Sequence, residues 1–411
     1  MQKSINTDWR GYVLFYSIIG MMVSLFCSRL LLSIFMMVFV AISFFHTDIK
    51  KYLRNFFSAP FLWSMSLLFF LPLFSGLWSN DKTEWLDIIR IKLPLLFLPL
   101  AFAAPIQFSK KKWDRHAFIF IALVVAGSLW SMFHYVTNIA IINHGYLYAK
   151  TLITPLKDDH VRFSWLVSVV ILLAAWLWIK RRKDYNILSG LLPIVIIWLI
   201  IFLHILAART GLISFYLTVF FTSLWFLYKK INPGYAIILL AIIIALPFIA
   251  YRVLPTFQNK VKYFRYDQTY FKDAHYLQGS NDAVRIISIN AGWNIMNEHP
   301  ATGVGFGDIF TETKKWYGIH YPEMIETDKI YPSSEWLMYG VGIGWSGLLI
   351  LIGVIIISFL APVKNKLPWI LLNIMAAFSF LFDIPLEVQF GVFIYSFIML
   401  WCWKWFNAEN I

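Results

Sequence analysis

Residues 187–250 read ILSGLLPIVIIWLIIFLHILAARTGLISFYLTVFFTSLWFLYKKINPGYAIILLAIIIALPFIA. Three apolar runs, 187–207, 211–227 and 235–250, are separated by a short break at Arg209 and another at Lys229 and Lys230. Each run approaches the roughly 20 residues that a helix needs to cross the hydrocarbon of a bilayer. Each is apolar all round, so it faces lipid or other buried helices, not water on one side. This stretch decides the fold class: helices that cross a membrane and return after a few residues.

The same pattern extends in both directions. Further spans are expected near 11–27, 30–45, 60–78, 88–102, 117–140 and 163–179, and then near 336–360, 367–382 and 390–403. The expectation is an all-α polytopic membrane protein of about twelve spans. Nine of these lie in 1–250, a long loop occupies 251–334, and three more lie in 335–411. Composition agrees. The chain is 60% hydrophobic and 14% charged, where soluble domains carry roughly 25% charge. The net charge of +13 would suggest nucleic acid on a soluble protein. Here the cations sit in short clusters between spans, and no nucleic-acid partner is expected. The two cysteines, Cys27 and Cys402, allow no disulfide framework, and the nine histidines show no metal-ligand spacing. Neither a metal nor a cofactor is expected. Cys27 and Ser28 lie between two apolar runs, so the first run reads as a retained span.

Orientation follows from the cations. Alternate short loops carry Lys50, Lys51 and Arg54; Lys110, Lys111, Lys112 and Arg115; Lys180 to Lys183; Lys229 and Lys230; Lys364 and Lys366. The intervening loops are poorer in cations, and two carry acids: Asp81, Glu84 and Asp87, then Asp383 and Glu387. Positive loops stay in the cytoplasm, which puts both termini inside and the long loop outside. That loop is rich in aromatics, including Tyr263, Phe264, Tyr266, Tyr270, Phe271, Tyr276, Trp316, Tyr317, Tyr321 and Tyr331. Disordered segments are poor in aromatics, so the loop is expected to fold, partly as helix. Its rings suit sugar faces, or an interfacial belt.

Ionisable groups at or inside spans are costly and raise functional hypotheses. Arg209 stands between two apolar runs with no acidic neighbour in sequence, and a guanidinium matches a phosphate in a two-pronged fork. A snorkelling flank is the plain alternative. Arg285 opens a segment to Met296 that reads as an amphipathic helix, followed by Gly303, Gly305 and Gly307. Alternate glycines allow a tight turn or close backbone approach. Asp158-Asp159-His160-Val161-Arg162 enters a span from outside and offers base, orienter and phosphate clamp, or simply a polar span entrance. Pro332-Ser333-Ser334-Glu335-Trp336-Leu337 re-enters the membrane; Glu335 is a candidate base there, or else a serine caps the helix and Glu335 favours its positive end.

Taken together, these features resemble the bacterial O-antigen ligase and O-antigen polymerase superfamily, a GT-C-like architecture with a large periplasmic loop late in the chain. The specific part runs from Arg285 through Trp293, Pro300 and Gly303-x-Gly305-x-Gly307 to Pro332-Ser333-Ser334-Glu335-Trp336-Leu337 and Gly340, Gly342, Gly344 and Gly347. The family's earlier arginine, at the outer edge of a span, matches Arg209. The resemblance implies an inner-membrane glycosyltransferase that is inverting and metal-independent. Its donor is a glycan on undecaprenyl diphosphate, its acceptor most simply lipid A–core. Arg209 and Arg285, with Arg162, are then the diphosphate-binding candidates. The family's Pro-His-Asn element is Pro-Ser-Ser here, so the histidine thought to activate the acceptor is replaced by Ser333. A serine is no base near neutral pH without an activator. A displaced base is expected, His160 first and Glu335 second, with His320 a further option; loss or change of the transfer chemistry is the remaining reading. An O-antigen polymerase and a protein O-oligosaccharyltransferase are sister readings. A lipid-linked glycan flippase is the reading from another class, although no paired broken helices or internal symmetry are visible.

Overall fold

The computed structural model describes residues 8–45, 49–156, 159–181, 187–231, 233–271, 276, 278 and 280–408. Asp158 and Lys183 lie outside the described residues. Among the described residues the chain is helical, with no strand. The first part runs α1 (Asp8–Cys27), α2 (Arg29–Phe44), α3 (Ile49–Ser58), α4 (Pro60–Ser75), α5 (Lys82–Ala103), α6 (Lys110–Thr137), α7 (Ile139–Gly145) and α8 (His160–Arg181). Next come α9 (Ile187–Leu206), α10 (Arg209–Tyr228) and α11 (Pro233–Val253). The long loop holds α12 (Pro255–Phe271), α13 (Asn281–Glu298) and α14 (Ile309–His320). The chain closes with α15 (Glu335–Ile343), α16 (Trp345–Leu360), α17 (Lys366–Phe382) and α18 (Gln389–Asn407).

Every apolar run read from the sequence is helical. Among the described residues, five helices are long and apolar enough to cross a membrane, or six if α2 and α3, bent by 113°, form one span. Several others, such as α4, α16 and α17, are apolar but shorter. The run at 336–360, expected as one helix, is broken. Gly344 has φ +76°, and the Trp345 N–H donates to the Pro300 carbonyl at 3.0 Å instead of continuing the helix. A Cβ at Gly344 would come within 2.4 Å of that carbonyl oxygen. The amphipathic α3 was not expected; the Lys50, Lys51 and Arg54 segment reads in sequence only as a cationic loop.

The long loop is fastened to the bundle by backbone. The Val304 and Gly305 N–H groups donate to the carbonyls of Val341 and Gly342 at 2.9 and 3.0 Å. The Phe306 and Gly307 N–H groups donate to Ser75 Oγ and Ser79 Oγ at 3.1 and 3.2 Å. The Asp308 carboxylate accepts from the N–H groups of Asn80 and Asp81 at 2.6 and 3.0 Å. The alternate glycines therefore serve close backbone approach, Gly303 to the end of α15 and Gly305 and Gly307 to the α4–α5 turn and the start of α5. At Gly305, φ is +88° and a Cβ would lie 2.3 Å from Ser79 Oγ.

Polar contacts gather at opposite ends of α8. At its Arg162 end, Arg162 meets Asp383, Arg285 meets the Phe382 carbonyl, and Tyr331 donates to Glu84. At its Arg181 end, Arg181 pairs with Asp114, Trp405 Nε1 donates to Asp114 at 2.7 Å, and the Lys364 N–H donates to Asn407 at 3.0 Å.

Candidate active site

The Arg162 end of the bundle assembles side chains from five segments. Arg209 opens α10, where the aligned peptide dipoles already make the helix end positive. Placing a cation there strengthens the local attraction for anions. The sequence suggests an unpaired guanidinium, and this expectation is corrected. Arg209 forms a two-pronged pair with Asp282 of α13, Nη1 to Oδ2 at 2.8 Å and Nη2 to Oδ1. The partner lies 73 residues away, beyond any local sequence signal. The pair is lopsided: the Arg209 side chain is 44% exposed and that of Asp282 only 8%. The partly exposed guanidinium lies over the half-exposed ring of Phe264, 5.6 Å from its centroid.

Asp282 is held from behind. Asp267 of α12 accepts from the Asp282 N–H at 3.1 Å and from Ser280, and Ser280 Oγ caps α13 by accepting from the Ala283 N–H at 3.1 Å. Three residues after Asp282, one helical turn on, is Arg285. Its Nη1 donates to the Phe382 carbonyl at 3.1 Å. Lys260 of α12 completes the group. Burial first, then Arg209, then Arg285 push its ammonium down to about 8, against the opposing pull of Asp282 and Asp267. Sequence reasoning passed over Lys260, which stands among other basic residues of the loop and carries no motif. Arg209, Arg285 and Lys260 thus share one electrostatic neighbourhood with two carboxylates, both already engaged.

Arg162 stands nearby on α8. It donates to Asp159 at 3.2 Å, to Asp383 at 3.3 Å and to the Ile384 carbonyl at 3.4 Å. Arg162, Asp383, Thr210 and Tyr395 line a cavity of about 20 Å³, room for roughly one water molecule. Burial pushes the Asp383 carboxyl above the usual range, with Arg162 and Arg285 opposing.

Ser333 is brought beside Arg285. Its N–H donates to Ser288 Oγ at 3.1 Å, the two hydroxyls are 2.9 Å apart, and Ser288 Oγ donates to the Arg285 carbonyl at 2.7 Å. Among the described residues, this run of hydrogen bonds from Ser333 through Ser288 to the Arg285 carbonyl includes no imidazole or carboxylate, so nothing in it activates a hydroxyl. Ser334 stands just before α15, but its hydroxyl donates to the Phe380 carbonyl at 3.3 Å and accepts from no N–H of the helix, so serine capping is not what this motif does.

Glu335 is not at a lipid–water boundary, as the sequence suggested, but sealed inside. Its Oε2 accepts from the Leu386 N–H at 3.0 Å, and its Oε1 is 3.8 Å from Lys92 Nζ. Lys92 also donates to Glu387 at 2.5 Å and to the Leu386 carbonyl at 3.0 Å. The side chains of Lys92 and Glu335 are 0% exposed and that of Glu387 is 7% exposed. A lysine within an apolar run is a signal in its own right, and Lys92 was missed.

Of the two candidate histidines, one stands at this end of α8 and the other on the loop. His160 begins α8 two residues before Arg162, and positions i and i+2 of a helix do not share a face. His320 ends α14, stacked on Trp316 with ring centroids 4.2 Å apart, its Nδ1 3.0 Å from the Trp316 carbonyl. Several of the loop aromatics hold the loop together. Tyr317 donates to the Ile330 carbonyl at 2.9 Å and Tyr276 to Asp328 at 2.5 Å. The side chains of Tyr270 and Phe271 lie outside the described residues.

Comparison with known families adds one finding. The O-antigen ligase family profile matches residues 194–352. The matched stretch contains Arg209, Lys260, Asp282, Arg285, the three alternate glycines, Ser333 and Glu335; Lys92, Arg162 and Asp383 fall outside it. No curated protein matches the chain.

Proposed function

We propose, with residues 194–352 an O-antigen ligase domain as the premise, that this membrane protein transfers a glycan from undecaprenyl diphosphate to an acceptor hydroxyl, most simply that of lipid A–core, at the periplasmic face. The observation that carries the reading is the gathering of three cations from three helices: Arg209 paired with Asp282, Arg285 one helical turn beyond Asp282, and Lys260 within the electrostatic reach of both arginines. A carboxylate and a phosphate present the same two-oxygen edge to a guanidinium. The donor diphosphate approaches the exposed part of Arg209 and exchanges with Asp282, while Arg285 and Lys260 supply further charge. As the sugar–phosphate bond breaks, negative charge grows on the leaving diphosphate. Fixed cations in a partly dehydrated site stabilise that growth without reorganising. Inversion at the sugar follows from a single displacement.

Twelve crossings, cytoplasmic termini and a periplasmic loop at 251–334 belong to the same proposal. The alternation of cationic loops supports it, as does the gathering of the acid-bearing loops at one end of α8. The test is gel electrophoresis of lipopolysaccharide from a strain lacking the gene. Loss of all ladder bands, with lipid-linked glycan accumulating on the outer leaflet, is expected. Core plus one repeat unit would indicate a polymerase instead, and glycan stranded on the cytoplasmic leaflet a flippase.

A further inference from the structure

The geometry points to Asp383 as the general base that takes the proton of the acceptor hydroxyl, in place of the histidine absent at Ser333. This assignment rests on the transferase reading above. It comes from position. The backbone of Asp383 is joined to the altered motif: its carbonyl accepts from the Glu335 N–H at 3.1 Å, two residues after Ser333. The residue before it, Phe382, gives its carbonyl to Arg285. It lines the small cavity together with Thr210, the neighbour of Arg209. Asp383 therefore sits between the two arginines proposed to hold the diphosphate, beside the place where the family's histidine would stand.

The other candidates are worse placed. Glu335 has no solvent contact, and its carboxylate faces Lys92 and the Leu386 N–H. Ser333 hydrogen-bonds only to Ser288 among its described partners. His160 lies on a different face of α8 from Arg162. Asp383 keeps an edge on a cavity sized for a single hydroxyl or water, about 20 Å³, so the acceptor ring stays outside while its hydroxyl reaches in. The charged groups around the carboxylate are Arg162 and Asp159 at the start of α8 and Arg285 on α13. Burial, the largest influence, makes the carboxylate a stronger base than an exposed aspartate.

The step balances. The acceptor oxygen forms a bond to the anomeric carbon as the bond from that carbon to the diphosphate oxygen breaks. The bonding pair leaves on the diphosphate, held by the arginines, and the hydroxyl proton passes to an Asp383 carboxylate oxygen.

The experiment uses the full chain in proteoliposomes with lipid-linked glycan extracted from the native cells, and follows transfer rate against pH. Asp383→Asn keeps an oxygen that accepts from Arg162 and removes proton acceptance. It is expected to lose about 100-fold or more of the rate, to lose the acid limb of the pH profile, and to bind donor as wild type does. Ser333→His in the Asp383→Asn background is expected to restore at least a tenth of the rate, and Asp383→Glu to retain an acid limb even if the asparagine variant folds poorly. Wild-type-like rate and acid limb in Asp383→Asn, a loss residing wholly in donor binding, or an Asp383→Glu enzyme without an acid limb would each overturn the assignment alone. A wild-type protein that transfers nothing would overturn the transferase reading and this assignment with it.

Discussion

Two clusters of ionisable side chains are built alike and end differently. One joins Lys92 of α5, Glu335 of α15 and Glu387 of the turn before α18; the other joins Arg209, Lys260 and Arg285 with Asp282 and Asp267. Both draw on segments distant in sequence. The first holds one cation against two carboxylates, sealed from solvent, with Lys92 also over the rings of Phe306 and Tyr339 at 5.3 and 5.0 Å. The second holds three cations against two carboxylates, and its leading arginine is 44% exposed. A closed cluster whose cation is held between buried carboxylates fixes geometry. Here it ties the turn carrying Leu386 and Glu387, next to Asp383, to the helix that follows Ser333. An open cluster with an excess of one sign attracts a ligand of the other sign. Charge in a membrane protein is thus informative only together with exposure and balance.

The sharpest way to break that contrast is Lys92→Met. Removing the cation leaves two carboxylates buried together, a loss of about 3–5 kcal/mol of stability; the folded fraction after detergent extraction and its thermal midpoint would show it. Adding Glu335→Gln and Glu387→Gln should recover most of the loss. If Lys92→Met is as stable as wild type, the closed cluster has no architectural role. Asp282→Asn acts on the open cluster and should leave the fold intact. It removes the anion that competes for Arg209, so binding of a lipid diphosphate should tighten about tenfold, about 1.4 kcal/mol. Weaker binding would mean that Asp282 orients Arg209 and is not exchanged.

Lys260 gives the smallest and most specific effect. Its ammonium titrates at about 8, and only the protonated form attracts a phosphate. Binding should therefore be full below that pH and weaken a few-fold as pH rises through it, the direction set by loss of a positive charge. Lys260→Gln should bind slightly less well at pH 7 and show no step near pH 8. A step that survives the substitution would assign the titration to another group.

The helical class was legible because apolar run length is a local property, and each run did become helix. The position of the alternate glycines was legible too, although not their partner, since nothing local announces that Gly305 will rest on Ser79. Arg209 and Arg285 could be singled out by residue type and by the motif around Arg285. Their surroundings could not, because the Asp282 and Lys260 contacts depend on how α10, α12 and α13 cross. Lys92 is a different case. A lysine ten residues into α5 stood in plain view as a cost that needed a partner. Asp383 was read as one of the acids that mark an outer loop, and its place beside Ser333 is a property of the tertiary fold. The break at Gly344 was hidden because glycine is common within membrane helices, and only the Pro300 carbonyl decides that this one ends α15.

The central claim is that the open cluster holds the donor diphosphate. It is tested most directly by reconstituting wild type, Arg209→Ala and Arg285→Ala at equal folded amounts and measuring glycan transfer from the lipid-diphosphate donor. Each substitution removes a fixed cation facing the leaving group and should slow transfer about 10²–10³-fold, with thermal midpoints near that of wild type. Near-normal transfer by both variants would contradict the account.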